Sequence, residues 1–165
     1  MQNEIRAAEL FTGLNAGSVQ RLAAIGRMLT LRAGEYVFML GDSAEYVSVV
    51  TSGLVDLCFP ITFGGVVKDI TVESVGPGKT VGWSALVKPF RFTLSARAAR
   101  PSEVMTFARP ELLQVFAADP EIERVVLGRI SELVGNRLTM FQALWARELL
   151  RTFSLGEQGS TPSPR

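Results

Sequence analysis

Between Arg27 and Ala108 the chain is interrupted by glycine at short intervals: Gly34, Gly41 and Gly53, then Gly64-Gly65, Gly76-Pro77-Gly78 and Gly82. Tight corners between short strands need positive φ or close backbone approach, which glycine adopts at least cost. The runs between these corners alternate with a period of two. They are Met28–Leu31, Tyr36–Leu40, Tyr46–Thr51, Leu54–Thr62, Val66–Ser74, Phe92–Ala99 and Glu103–Phe107. Phe63-Gly64-Gly65 reads as a hairpin turn, because Gly-Gly accepts positive φ at both positions. Arg100-Pro101-Ser102 turns the last pair of runs. The pattern predicts a mainly β fold with flanking helices: a double-stranded β-helix, or jelly roll, of about eight strands over residues 27–108.

On either side of this region the period becomes helical. Residues 3–10 and 17–25 have helical spacing and are separated by Gly13 and Gly17, with Leu10-Phe11 at the end of a barrel. Pro110 suits the first turn of a helix over Glu111–Ala117. Asp119-Pro120 is a restart signal, an N-cap residue followed by proline at N1. The helix that follows is expected over about 120–151, roughly 45 Å at ~1.5 Å per residue. It carries one apolar stripe: Leu127, Ile130, Val134, Leu138, Phe141, Trp145 and Leu149, close to a heptad seam. A helix of this length exceeds what a small barrel covers. Leu138, Phe141 and Trp145 are therefore expected to form a homodimer interface, the competing arrangement being a helix folded back on its own barrel. Residues 1–154 read as one domain and residues 155–165 as a polar, disordered Gly/Ser/Pro tail.

Composition narrows the chemistry. The chain has no histidine and one cysteine, so the commonest general base and metal ligand are missing and a structural zinc site is excluded. No metal site is expected, nor any resident cofactor. No paired carboxylates and no nucleophile motif are visible, so the chain is not expected to be an enzyme. Cys58, in the apolar run Leu57-Cys58-Phe59, reads as a small core residue, and a single cysteine suits a reducing compartment. The N-terminus shows no signal-peptide pattern and no apolar run is long enough to span a bilayer. A cytoplasmic protein that does not enter membranes is expected. The net charge of +1 gives no general pull toward nucleic acid. Residues 79–100, however, hold Lys79, Lys88, Arg91, Arg97 and Arg100 and no acid. This segment reads either as the lining of a small-anion site or as a solvated strand edge.

Four stretches carry a resemblance. They are Leu10-Phe11-x-Gly13-Leu14; Gly34-Glu35-Tyr36-Val37-Phe38-x-x-Gly41-Asp42 with Tyr46-Val47-Ser48-Val49-Val50-x-x-Gly53; Gly76-Pro77-Gly78 with Val81-Gly82; and the long C-terminal helix. Together, over residues 9–150, the chain resembles the cyclic-nucleotide-binding domain of the catabolite-activator and kinase-regulatory-subunit type. The resemblance implies a phosphate-binding cassette formed by Gly82, Trp83, Ser84, Ala85 and Leu86. There, backbone N–H groups of a short helix face a cyclic phosphate, an arginine pairs with its charge, and a glutamate accepts the ribose hydroxyl. Here Trp83 stands at the glutamate position, and its indole can only donate. Two readings of Trp83 stand: it plugs the sugar site, or it stacks on a different planar ligand.

The arginine position is also ambiguous. Arg91, with Thr93 beside it, is the nearest match to the phosphate arginine. Counted back from the strand Thr93–Ala98, however, Phe92 takes that place. A slip of one residue turns a strand side chain to the other face. Lys88 and Arg97 are the other cations within reach, and Asn136 and Thr139 fall where the family's long helix meets the base. The expected function is a small-ligand sensor or regulatory domain, taking a cyclic nucleotide or another small anion, without a DNA-binding domain of its own. The alternative is a ligand-free protein-interaction scaffold whose pocket Trp83 fills. Output is expected through the dimer surface or through a protein partner, and direct DNA binding is not expected.

Overall fold

The computed structural model describes residues 1–157. Its elements divide into two units, Met1–Arg129 and a second beginning at Ile130.

In the first unit, α1 (Gln2–Ala7), a 3-10 turn (Glu9–Phe11) and α2 (Ala16–Ile25) lead into eight strands. The strands are β1 (Arg27–Leu31), β2 (Tyr36–Phe38), β3 (Tyr46–Ser52), β4 (Val55–Phe63), β5 (Val66–Val75), β6 (Thr80–Val81), β7 (Ser95–Ala98) and β8 (Ser102–Ala108). They form two antiparallel four-stranded sheets, ordered β1-β8-β3-β6 and β2-β7-β4-β5. This is the expected β-roll with N-terminal helices, built of eight strands. The two-residue β6 was not legible as a strand, because Thr80-Val81 is too short to show alternation. The expected strand Phe92–Ala99 narrows to Ser95–Ala98, since Phe92 turns inward to the core before the ladder begins.

The roll closes where residues of both periods meet. Val55, Leu57, Ala96, Ala98, Val50 and Val104 are buried from the two sheets, and Phe11 meets Phe107 edge-on at 5.0 Å from the helical side. Each fully buried Val, Leu or Phe side chain contributes about 1.5–3 kcal/mol. Gly53 makes the corner before β4 with φ 87°. A Cβ there would lie 2.2 Å from Ser102 Oγ and 2.6 Å from the Pro101 carbonyl oxygen. Glu9 fastens the 3-10 turn to the roll: its carboxylate accepts from the Thr80 backbone N–H at 2.8 Å and from Lys79 Nζ at 2.9 Å. That hydrogen bond holds the Lys79 ammonium pKa above its usual range.

Helix α3 (Arg109–Ala118) starts with Pro110 in its first turn and buries Leu112 and Phe116. Helix α4 runs from Pro120 to Glu157. Asp119 organises the elbow between them. Its carboxylate accepts from the Glu121 N–H at 3.3 Å, from Ser18 Oγ on α2 at 3.0 Å, and from Arg21 on α2. The first turns of α4 bury Ile122 and Val126, a row missed by the seam reading, while of that seam Leu127 is exposed and Ile130 is buried. α4 continues six residues past the expected end, because residues 152–155 contain neither glycine nor proline. Residues 155–157, read as the start of the disordered tail, are thus helical. The rest of the tail lies outside the described residues. In the second unit Leu138, Phe141, Trp145 and Leu149 are exposed on the helix.

Candidate functional site

The cassette follows β6 directly. Gly82 has φ 76° and caps a 3-10 turn, Trp83–Leu86. The turn is closed by Ala85 N–H to Gly82 C=O at 3.0 Å and Val87 N–H to Ser84 C=O at 3.3 Å. Ser84 and Ala85 are buried, and Trp83 and Leu86 are half-buried. Glycine is favoured at position 82. Beyond its φ, a Cβ there would meet Phe38 Cε1 at 3.0 Å, Phe92 Cε1 at 3.2 Å and the Tyr46 carbonyl oxygen at 3.2 Å.

Those neighbours are the centre of the site. The Phe38 and Phe92 rings stack with centroids 3.8 Å apart and planes 8° from parallel, and Tyr46 tilts against Phe92 at 5.9 Å. Phe92 is 3% exposed. The Tyr46 hydroxyl donates to the Val37 carbonyl at 2.6 Å, and burial, with Asp42 and Glu45 nearby, pushes its pKa up. Tyr46 and Ser48 alternate onto one face of β3. The Ser48 hydroxyl is fully buried and has no hydrogen-bond partner among the described residues.

The register that brings Phe92 inside comes from a short backbone ladder to the turn after β2. Phe92 N–H donates to Asp42 C=O at 3.0 Å, Gly41 N–H to Phe92 C=O at 2.8 Å, and Ala44 N–H to Phe90 C=O at 2.8 Å. Arg91 sits opposite Ser43 in this ladder. Its side chain is exposed and donates to the Gly41 carbonyl at 2.7 Å. Phe92 thus lies inside the roll and Arg91 at its surface. Thr93 and Lys88 are exposed. Arg97 lies on the side of its sheet where Asp69 sits, 3.6 Å from that carboxylate. Phe90, at φ 58°, carries the Arg109 guanidinium over its ring at 4.5 Å, which ties the cassette loop to the start of α3.

Of the residues read from the sequence, the structure thus gathers Gly82, Ser84 and Ala85 at the roll interior. It puts Trp83 and Leu86 at the boundary, and Arg91 and Thr93 at the surface. Phe38 and Tyr46 were missed as site residues; their signal lay in the glycine at 82, whose missing side chain leaves room for their rings. Asn136 and Thr139 are exposed on the second unit's part of α4, where the Thr139 hydroxyl donates to the Gly135 carbonyl at 3.0 Å. Cys58 is a buried free thiol whose pKa burial pushes up. Among the described residues no group of acids and cysteine could hold a metal ion, and no helix is long and apolar enough to cross a membrane.

Two antiparallel four-stranded sheets with a glycine-capped 3-10 turn after β6 define a β-roll. Residues 28–119 match the cyclic nucleotide-binding domain. The chain belongs to the cyclic nucleotide-binding domain family. Among solved structures it is similar to a cyclic nucleotide-binding protein from Geobacter metallireducens GS-15, with a TM-score of 0.68 and 25% identity over 83% of this chain and 97% of that one. It is also similar to the catabolite activator protein of Thermus thermophilus, with a TM-score of 0.68 and 25% identity over 87% of this chain and 63% of that one. A cyclic nucleotide-binding domain from Methylobacillus flagellatus KT shares the fold, with a TM-score of 0.72 at 21% identity over 91% of this chain and 81% of that one. Patatin-like phospholipase domain-containing protein 6 of Pongo abelii is 31% identical over 74% of this chain, which spans 10% of that protein. The human protein of that name is 30% identical over the same shares. The chain thus spans a tenth of the length of the curated relatives it matches. Membership of this family supports a sensor or regulatory role, and the family is typically regulatory rather than catalytic.

Proposed function

We propose that this chain is a non-catalytic regulatory domain that keeps the cassette backbone of its family but does not take a cyclic nucleotide, and that acts through protein contacts. One observation carries the reading: Phe92, 3% exposed, stacks on Phe38 against Gly82. The adjacent Arg91 points outward to a backbone carbonyl. A phosphate entering beside Gly82 would lose its water to two phenyl rings and gain no charge partner, an uncompensated burial of charge. In this reading Phe92, rather than Trp83, fills the space. Its output is a homodimer through Leu138, Phe141 and Trp145, whose exposure on α4 supports the reading, and a protein partner. The domain works in the cytoplasm; the buried free thiol of Cys58 suits a reducing compartment. It makes no direct contact with DNA.

A second reading keeps a ligand in the roll. The buried, unpartnered Ser48 hydroxyl favours it, because a buried polar group without a partner is costly and a small polar molecule would relieve that cost. Calorimetric titration with cAMP and then cGMP decides between the two. The expected result is no heat up to about 1 mM ligand, a binding free energy weaker than about −4 kcal/mol. Saturable heat at one site per chain overturns the first reading in favour of a nucleotide sensor.

A further inference from the structure

Away from the cassette, the hairpin of β4 and β5 carries a feature the regulatory reading does not use. β7 pairs with β4 only over Val55–Cys58, while the β4–β5 ladder continues to Phe63 and Val66. Among the described residues β5 has one neighbour, β4, and stands at the end of its sheet. It is ten residues long, where strands usually have about five or six. No charge lies between Asp56 and Lys68. Phe59, Ile61, Val66, Val67 and Ile70 are all exposed.

The register sorts these residues by face, because directly paired residues of an antiparallel ladder share a face. Phe59 pairs with Ile70 and Ile61 with Lys68, and Val66 falls on the same face as Lys68 by alternation. This row carries on from Val55 and Leu57, which are core residues. The other face bears Pro60 opposite Asp69, and the Asp69 carboxylate accepts from the Tyr36 hydroxyl at 2.5 Å and lies 3.6 Å from Arg97. The acid of this pair is therefore engaged. Lys68 is exposed and makes no ion pair among the described residues.

The two open edges of the arm differ. Pro60 removes a donor from β4, a common guard on an edge strand. A proline in a paired strand turns its nitrogen away from the neighbour. Asp69, opposite it, then turns its own N–H and C=O away from β4, as do Val67 and Thr71 by alternation. β5 has no proline to cover these groups. We propose that the β5 edge is a docking site for an extended peptide segment of a partner protein, added antiparallel as a further strand, with an acidic residue opposite Lys68 and apolar residues two positions to either side, opposite Val66 and Ile70. The backbone bonds form at Val67, Asp69 and Thr71. The acid then falls at a non-hydrogen-bonded position, where cross-strand side chains are closest, at about 4.5 Å between Cα atoms. Charge complementarity to Lys68 selects the partner, and the strand ladder supplies the affinity.

The test uses the full chain and two capped heptapeptides, acetyl-Thr-Val-Thr-Glu-Thr-Val-Thr-amide and the same peptide with Lys in place of Glu. Amide hydrogen exchange is read by NMR with and without about 1 mM peptide. The expected result is at least about fivefold slower exchange at Val67 and Asp69 with the Glu peptide and no change with the Lys peptide, with the preference reversed in Lys68→Glu. No protection by the Glu peptide, or equal protection by both peptides, overturns the proposal. Val67 and Asp69 amides already protected without peptide, and released on dilution, also overturn it in favour of a second copy on this edge. The titration reads nucleotide binding at the cassette and this experiment reads amides of the β5 edge, so the two fail independently.

Discussion

At the scale of single residues, the fold depends on positions where one atom decides the outcome. Gly53 and Gly13 both have positive φ, yet their surroundings differ: a Cβ at Gly53 collides with Ser102 and the Pro101 backbone, while nothing lies within 4 Å at Gly13. Gly13→Ala carries only the conformational penalty, about 1–2 kcal/mol. Gly53→Ala adds displacement of the β7–β8 turn and is expected to cost more than about 3 kcal/mol, read as a lower midpoint in urea. Equal losses would mean that the turn moves aside freely. The glycines were legible because their chemistry is local. Phe92 shows the opposite case. Side by side in the sequence, Arg91 and Phe92 are equal candidates for the inward position. The choice is made by backbone bonds to Gly41, Asp42 and Ala44, some fifty residues earlier.

At the scale of elements, the elbow before α4 rests on Asp119. It caps α4 and also receives Ser18, which is buried, and Arg21 from α2. Asp119→Ala removes the cap and leaves a buried hydroxyl unpaired, an expected loss of about 2–3 kcal/mol. Asp119→Asn keeps an acceptor and should recover roughly half of it. A chemical melt in which the two variants fall together would show that the carboxylate charge, rather than the cap, is what matters. The cap was readable from Asp119-Pro120. The link to α2 was not, because nothing local connects residues 18 and 119. The long hairpin was equally plain in the sequence, whereas its free edge became visible only once the strand order placed β5 last.

At the scale of the whole molecule, the remaining question is what α4 presents. Trp145 is 69% exposed, beside exposed Leu138 and Phe141. Trp145→Glu is expected to convert a dimer into a monomer in sedimentation, since burying a charge in an apolar seam has no compensation; a dimer that persists removes the seam from consideration. The sequence alone determined the class of fold, the two helical flanks, the hairpin and the restart at Asp119-Pro120. These follow from periodicity, turn chemistry and capping, which act over a few residues. The tertiary structure alone decided which of Arg91 and Phe92 faces the roll, that Arg97 is held by Asp69, that Ile122 and Val126 are the buried row of α4, and that β5 ends its sheet. Each of these depends on partners distant in the chain. One strand register turns a side chain inward or outward, and no local pattern determines it.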